Sequence, residues 1–357
     1  MRASCSMSPI SLSWSARRDN IDGAILRHPI EPGTLCRPVA FDRHDTARDA
    51  EARRIGAAAS AALLDELALY PKPGLVSFVD TGSHADMDAQ TFVRSVAALR
   101  GYFIDAAECG LRAAPFAELE ALGVDAEAAM RRATGGVNTH SGAIFCLGLL
   151  CAGAGAVAAH GAPCSADAVG AALRRHWGAA LSARASQRAA TARSKGAQAA
   201  RLHGLRSASD EAALGFPVLF CHALPAWRAA RQRGGSEREV KLHVFFRVLA
   251  ELDDTNLAHR GGIDGLRFAQ RAAREFLETQ DNPSAGASDH ASGNVRDFAS
   301  GSATDYASSG AMDHASGSAV ARALALHRSF VARRLSPGGT ADMFAAACWL
   351  DRIGALR

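Results

Sequence analysis

Apolar residues recur every three to four positions through most of the chain, and short runs of glycine, proline and polar residues interrupt them. This spacing is typical of amphipathic helices, whereas the alternating pattern of a half-buried strand is not found. Alanine is abundant and β-branched residues are few, which also favours helices. The pattern predicts an all-α fold of about ten helices. They span residues 46–70, 88–109, 114–132, 140–159, 165–181, shorter pieces between 183 and 230, and then 236–253, 264–279, 319–334 and 340–354.

Residues at the helix ends support several of these boundaries. Ser236 and Glu239 have the spacing of a capping box. Gly110 suits the C-cap of the helix over 88–109. The first helix must end at the sequence YPKPG, residues 70–74, because its two prolines cannot continue a helix.

Two segments lack helical periodicity. Residues 1–45 mix polar residues with proline and glycine, so we expect a disordered extension there. Residues 281–318 contain an eight-residue repeat in which each copy begins with aspartate, and they are rich in serine, glycine and alanine. Such a composition buries little surface, so we expect a low-complexity loop inserted within a single catalytic domain, residues 46–355.

The charge and the cysteine content argue against two classes of protein, those that bind nucleic acid and those that are secreted with disulfide bonds. The net charge is only +4, and the arginines are scattered along helices instead of clustered, so no nucleic-acid partner is expected. The eight cysteines form no CxxC pair, and the N-terminus has no sustained apolar run typical of a signal peptide. We therefore expect a cytoplasmic protein with reduced thiols.

One stretch raises the question of a membrane span. Residues 142–159 carry no charge over 18 positions, which is close to the lower length limit for a transmembrane helix. The stretch is rich in glycine and alanine, and no second segment of this kind accompanies it. A buried core helix is the better interpretation, and no membrane association is expected.

Polar clusters interrupt the apolar helices at six places. They are Glu66 with YPKPGLVS (70–77), DTGSHADMD (80–88), TGGVNTHSGAIF (134–145), LHGLRSASDEAALGFP (202–217), LDDTNLAHRGGIDGL (252–266) and SPGGTADMFAAACWL (336–350). The density of acidic and basic residues in them indicates a site for a charged small molecule.

Three of these clusters suit phosphate. Two prolines hold Lys72 in a rigid turn where its charge can meet a phosphate, although a solvated surface turn is the alternative. Gly135 and Gly136 lead to a helix start, whose free N–H groups attract anions, or they serve only the approach to an N-cap. Arg260 is a suitable phosphate ligand. The glycine patterns of P-loops and dinucleotide-binding folds do not occur.

Carboxylates in three clusters suit Mg²⁺, which prefers oxygen ligands. Asp254 lies in the most crowded polar run of the chain. Asp86 is close to His84, a pair that binds metal, orients a ligand, or forms an ordinary turn. Asp342 is either a further ligand or an acidic residue that the helix dipole favours in the first turn.

Together these runs resemble the triphosphoribosyl-dephospho-coenzyme A synthase family. The resemblance covers about residues 46–355 and is specific because several runs match in order. They are Glu66 with PKPGLV (71–76), GSHADM (82–87), TGGVNTHSGAIF (134–145), a Gly-x-Arg with GFP (204–217), DTNLAHRGG (254–262) and SPGGTADM (336–343). Ser141 departs from the basic residue expected in many relatives, which puts part of the phosphate binding in doubt.

The resemblance implies an all-α transferase that joins ATP to 3'-dephospho-coenzyme A with release of adenine. The 2'-hydroxyl of the acceptor would attack C1 of the ATP ribose, with Mg²⁺ as cofactor. The product, 2'-(5''-triphosphoribosyl)-3'-dephospho-coenzyme A, would pass through an acyl-carrier-protein prosthetic-group transferase. Its destination would be the acyl carrier subunit of malonate decarboxylase, which we prefer, or of citrate lyase. A homo-oligomer is compatible with the sequence.

The implied chemistry assigns a role to each cluster. Glu66 is our first choice as general base and His140 the second. The predicted Mg²⁺ ligands are Asp86, Asp254 and Asp342. The predicted substrate-binding residues are Lys72, Gly74, His84, Gly135, Gly136, Asn138, Arg206, Asn256, His259 and Arg260.

Two other functions stay open at this point. A Mg²⁺-dependent N-glycosidic hydrolase of the ADP-ribose-linked type would need no coenzyme A-like acceptor. A non-catalytic nucleotide-binding helical module would bind ATP without releasing adenine. The density of charged clusters favours an enzyme over the binding module.

Overall fold

A computed structural model describes residues 43–191, 195–281 and 313–355. These ranges contain twelve α-helices, one π-helical turn and no strand, which confirms the all-α prediction. The helices α1 to α12 are Arg43–Ala68, Ala89–Leu111, Phe116–Ala133, Ser141–Ala158, Ala166–Thr191, Lys195–His203, Ala208–Ala213, Leu224–Gln232, Glu237–Glu251, Thr255–Asp281, Asp313–Ala332 and Gly338–Arg352, and the π-helical turn Val218–Ala223 precedes α8.

The two segments expected to be non-helical lie mostly outside the described residues. This holds for residues 1–42 and 282–312, so the disordered extension and the inserted loop stay predictions. Helix α11 begins at Asp313, inside the range 281–318. The described residues from Arg43 onward belong to one compact unit.

Most helix boundaries agree with the sequence pattern to within a few residues. The capping box at the start of α9 is present, with Ser236 and Glu239 bonded to each other's backbone. The prediction that Gly110 is a C-cap is wrong, because α2 continues to Leu111. A Cβ at Gly110 would overlap the carbonyl of Ala152 in α4. Glycine is therefore needed at this position for close packing of two helices.

Helix α4 is the central helix of the core. By length and composition it is the one described helix that could cross a membrane, but 78% of its residues are buried inside the protein. Gly155 continues the close contact with α2, because a Cβ there would overlap the carbonyl of Ala107. The prediction of a buried core helix over 142–159 is confirmed. Helix α4 packs against α1, α2, α3, α5 and α12, and the site described next lies at its N-terminus.

Candidate active site

A cavity of about 470 Å³ lies at the start of α4, between the end of α1 and the starts of α2, α10 and α12. This volume is in the usual range for a small-molecule site. Nine residues predicted for the site line this cavity. They are Glu66, His84, Asp86, Asn138, His140, Asn256, His259, Arg260 and Asp342.

Glu66 faces the cavity and is bonded to Lys72, which does not line it. The Lys72 ammonium lies 2.6 Å from Oε1 of Glu66 and also donates to the Glu66 carbonyl. Burial lowers the pKa of Lys72, and the Glu66 carboxylate opposes this shift. Lys72 is fully buried, so the alternative of a solvated lysine is wrong, and the predicted contact with phosphate has no support in this geometry. Lys72 instead holds Glu66.

The turn that carries Lys72 is held from both sides. His327 in α11 is buried, and its Nδ1 donates to the Lys72 carbonyl at 2.6 Å. Its Nε2 lies 3.1 Å from the carboxylate of Asp80. Gly74 follows in the turn, and a Cβ there would overlap the Leu335 carbonyl. The predicted substrate contact of Gly74 therefore finds no support, since the residue meets protein backbone and not the cavity.

His140 is 3% exposed and forms part of the cavity wall. Its Nδ1 lies 2.7 Å from Oγ of Ser95, and the ring of Phe92 contacts it edge-on, with centroids 4.9 Å apart. Nε2 is buried without a hydrogen-bond partner among the described residues. Burial, reinforced by the nearby charge of Lys72, lowers the pKa of His140 to about 3. The ring is therefore neutral near pH 7.

The glycines before α4 do not form an anion cradle. Gly135 and Gly136 are exposed, lie outside the cavity wall and have positive φ of 67° and 93°. The N–H of Gly136 donates to the carbonyl of Arg131 at 2.7 Å, which is the 6→1 bond of a Schellman cap. The pair ends α3, so the prediction that these glycines hold phosphate is not supported.

The start of α4 is occupied by side chains of the protein itself. Oδ1 of Asn138 accepts from the backbone N–H of Ser141 at 3.1 Å and from its hydroxyl at 2.7 Å. Asp342 accepts a hydrogen bond from the backbone N–H of Ala143. Gly142 leaves the space for this carboxylate, because a Cβ there would overlap it. Asp342 thus occupies the position at the helix N-terminus where the helix dipole could otherwise attract a phosphate.

Asp342 is a buried carboxyl group at the site whose charged form is disfavoured by its surroundings. Burial raises its pKa well above the usual value, and the carboxylates of Asp254 and Glu66 raise it further. No basic side chain forms an ion pair with it among the described residues. It lines both the main cavity and a smaller one of about 60 Å³. A bound cation would relieve the repulsion among these carboxylates.

Asp254 has a different environment, although it was predicted for the same role. Its Oδ1 accepts from the N–H groups of Asn256 and Leu257, at 3.0 and 3.2 Å. Its Oδ2 accepts from the N–H and the hydroxyl of Thr340, at 2.8 and 2.9 Å. Four donors fill the acceptor positions of a carboxylate. Asp254 therefore joins the starts of α10 and α12, and its prediction as a Mg²⁺ ligand is not supported.

Arg206 also lies away from the main cavity. It lines the smaller cavity with Glu211, and its guanidinium is 3.6 Å from Oε2 of that buried carboxylate. Burial raises the pKa of Glu211, against the effect of Arg206. The two cavities share Gly142 and Asp342.

The exposed rim of the main cavity combines cations with one accessible carboxylate. Nδ1 of His84 lies 3.4 Å from Asp86 and 3.2 Å from Arg260, and its Nε2 lies 2.8 Å from the hydroxyl of Ser336. Burial and the charge of Arg260 lower the pKa of His84. Lys195 at the start of α6 completes the basic groups of the wall.

Sequence reasoning missed three residues here. Lys195 lies in an alanine-rich stretch, TARSKGAQAA (191–200), that contains no recognisable motif, so no local signal marks it. Thr139 lies within a recognised run and lines the cavity, but no role was assigned to it. Ser95 is a single serine in the amphipathic α2, and only the fold brings it to His140. In the described residues, no group of three or more His, Cys, Asp or Glu side chains is arranged to hold a metal.

The sequence matches one protein family, described as ATP:dephospho-CoA triphosphoribosyl transferase (CitG), over residues 52–357. A protein from Vibrio cholerae named probable 2-(5''-triphosphoribosyl)-3'-dephosphocoenzyme-A synthase is 32% identical over 306 residues, covering 84% of this chain and 87% of its own. The Albidiferax ferrireducens protein of the same name is 34% identical over 308 residues, or 85% and 91% of the two chains.

A third relative, from Pectobacterium atrosepticum, is named 2-(5''-triphosphoribosyl)-3'-dephosphocoenzyme-A synthase. It is 33% identical over 299 residues, which cover 81% of this chain and 85% of the relative. No solved structure matches the chain.

Proposed function

Since the chain belongs to the ATP:dephospho-CoA triphosphoribosyl transferase family, we propose that it joins ATP to 3'-dephospho-coenzyme A and releases adenine. The observation that carries this proposal is a single cavity lined by a lysine-held carboxylate, Glu66, and by basic groups at Lys195 and Arg260. A glycosyl transfer from ATP needs both, because a hydroxyl must lose its proton while a triphosphate is held.

Glu66 is the general base of the proposed reaction. Lys72 fixes its orientation through Oε1, so no rotation is needed before it accepts a proton. The acceptor hydroxyl attacks C1 of the ribose, and the bond to adenine breaks through an oxocarbenium-like state. Before it takes the proton, the negative charge of the Glu66 carboxylate also favours the positive charge that develops at C1.

The triphosphate is held by the basic rim. Arg260 and Lys195 are the cations on this wall, with His84 and His259 beside them. Arg260 is already oriented by the carbonyls of Ser83 and Arg334, each 3.3 Å away. Asn138 and Asn256 supply amides for hydroxyl groups of the sugar or for the base.

In this proposal the site would hold Mg²⁺ together with the triphosphate. Asp86 and Asp342 fit it, because both are carboxylates at the cavity wall and neither is filled by protein donors as Asp254 is. Mg²⁺ commonly binds through one or two carboxylates together with substrate phosphates. When bound, it neutralises charge on the phosphate oxygens.

The product would supply the prosthetic group of an acyl carrier subunit, of malonate decarboxylase by preference or of citrate lyase. An acyl-carrier-protein prosthetic-group transferase would consume it. The six described cysteines, which include the exposed Cys221, are free thiols, and this supports a reducing, cytoplasmic setting for the reaction.

The test measures adenine release from ATP, Mg²⁺ and 3'-dephospho-coenzyme A, with each omitted in turn. Adenine that appears only with all three, together with a product of the combined mass, is expected. Adenine without the acceptor would indicate a hydrolase instead. ATP binding without adenine release in any mixture would indicate a binding module.

A further inference from the structure

Ser95 is a fully buried serine within α2 that bonds to two residues just before α4. Its Oγ lies 2.7 Å from Nδ1 of His140 and 2.7 Å from Oγ1 of Thr139. Thr139 and His140 line the main cavity, whereas Ser95 lies behind its wall. The three side chains form a hydrogen-bonded chain with both ends at the cavity.

The donors in this chain favour one of the two tautomers of His140. The Thr139 hydroxyl donates to Oγ of Ser95, so the one hydrogen of Ser95 is available for Nδ1 of His140. Nδ1 is then an acceptor, and a neutral imidazole must carry its proton on Nε2. The low pKa of His140, about 3, excludes the doubly protonated ring near pH 7.

That Nε2–H group has no partner in the protein. Nε2 is buried and accepts or donates no hydrogen bond among the described residues, and the edge-on contact with Phe92 holds the ring in place. A buried polar group without a partner is destabilising. Because His140 is one of the residues that line the cavity, a ligand bound there can supply the missing acceptor.

We propose that Ser95 and Thr139 are positioning residues that hold His140 as the Nε2–H tautomer, which donates a hydrogen bond to a ring nitrogen of the departing adenine. This inference rests on the proposed function. It replaces the general-base role considered for His140, because a nitrogen that already carries a proton cannot accept one.

The electron and proton balance of the step is simple. The acceptor oxygen forms the new bond to C1 and gives its proton to Glu66. The bond from C1 to adenine breaks, and its electron pair moves onto the purine. The hydrogen bond from His140 stabilises that charge, and its proton stays on Nε2. Adenine finally takes up the proton that Glu66 received, so the enzyme returns to its starting state.

The first test reads the tautomer without any substrate. Full-length protein labelled with ¹⁵N-histidine gives long-range ¹H–¹⁵N spectra in which protonated and bare ring nitrogens are well separated. The His140 signals are assigned by their loss in His140→Gln. We expect the proton on Nε2 in the wild type and in Thr139→Ser, and a mixture of tautomers in Ser95→Ala and Thr139→Val. A wild-type proton on Nδ1 would overturn the proposal.

The second test separates kcat from KM for adenine release. Removing one donor to a developing charge costs about 10²–10³ in rate, so the loss of its positioning partner in Ser95→Ala should lower kcat at least about tenfold. KM for ATP should change little. The matched control is Ser60→Ala, another buried serine, whose Oγ lies 3.5 Å from the Gly56 carbonyl and away from the cavity.

Wild-type kcat in Ser95→Ala would contradict the positioning role. Failure of the proposed function and failure of this inference give different results. If the wild type releases no adenine with any acceptor, the proposed function is wrong, and the proposed contact with adenine falls with it. If the wild type is active but its His140 carries the proton on Nδ1, only the present inference is wrong.

Discussion

The ammonium of Lys72 lies 2.6 Å from Oε1 of Glu66, and the two side chains are 0% and 5% exposed. A buried charge is costly alone, so each member of this pair offsets the cost of burying the other. Because Glu66 also lines the cavity, this one ion pair affects both the stability of the fold and the proposed reaction. Substitutions of the two residues should therefore have different effects.

Glu66→Gln should abolish most of the turnover and leave the fold intact. Its amide keeps the shape of the side chain and an oxygen that accepts from Lys72, but it cannot act as a base. Loss of general-base catalysis costs about 10²–10⁴ in rate. Adenine release and ATP binding by calorimetry measure the two effects. Loss of ATP binding as well would make Glu66 a structural or ligand-holding residue.

Lys72→Met should destabilise the protein more than it affects ATP binding. It leaves the Glu66 carboxylate buried without its cation, which typically costs about 3–5 kcal/mol. Urea unfolding followed by circular dichroism gives the free energy of unfolding. The double variant with Glu66→Gln should recover part of that loss. A stable Lys72→Met protein with a greatly raised KM for ATP would instead support the direct phosphate contact.

The variants Asp342→Asn and Asp254→Asn should have different effects, the first on Mg²⁺ dependence and the second on stability. Asp342→Asn should raise the Mg²⁺ concentration needed for half-maximal turnover and should not lower stability, since it removes a charge that its neighbours disfavour. Asp254→Asn should cost about 1–3 kcal/mol of unfolding free energy, because an amide cannot accept all four hydrogen bonds. A shift of the Mg²⁺ dependence in Asp254→Asn alone would reverse the assignment.

Gly142→Ala should impair catalysis through Asp342. The added Cβ would overlap the Asp342 carboxylate and displace it, and a misplacement of about 1 Å can cost about 10² in rate. Gly101→Ala is the matched control, because no atom lies within 4 Å of a Cβ at this helical glycine. It should keep full turnover. Equal activity of the two variants would show that the carboxylate position is not critical.

Stability should fall in mild acid because of His140. Its pKa is lowered to about 3 by burial and the charge of Lys72, against about 6.5 in the unfolded chain. Between these values the unfolded state binds a proton that the folded state does not, so the free energy of unfolding decreases as pH falls. His140→Gln should weaken this dependence between about pH 7 and pH 4.5, as measured by urea midpoints.

His243 provides the comparison for that experiment. Burial and Arg233 lower its pKa to about 4, so its contribution has the same sign and persists in the His140 variant. An unchanged pH dependence in His140→Gln would mean that His140 does not titrate as its surroundings indicate.

The helical pattern was enough to predict the fold class and the central helix. Local periodicity and caps specify α-helices, and Ser236 with Glu239 marks the start of α9 as expected. The prediction of a C-cap at Gly110 is wrong because a glycine near a helix end is compatible with both a C-cap and a close contact between two helices. Only the position of α4 decides between these two uses.

The candidate site was predictable in its residue types but less so in their roles. Lys72 is buried because its turn packs against α11, where His327 holds its carbonyl, and nothing near Lys72 in the sequence announces this. The role of Asp254 is hidden in the sequence for the same reason, because one of its oxygens accepts a hydrogen bond from Thr340, which lies in a helix far along the chain. Contacts between distant segments determine which charged group faces the ligand and which one holds the protein together.

The contacts between the loop before α2 and the loop before α12 have a consequence for how the enzyme is made. The hydroxyl of Ser83 donates to the Leu335 carbonyl at 2.6 Å, and Asp342 follows in the last helix. A chain emerging from the ribosome displays Glu66 early, but it has no complete cavity until α12 is free to fold. A folding intermediate in which these two loops have not yet met therefore has no complete cavity.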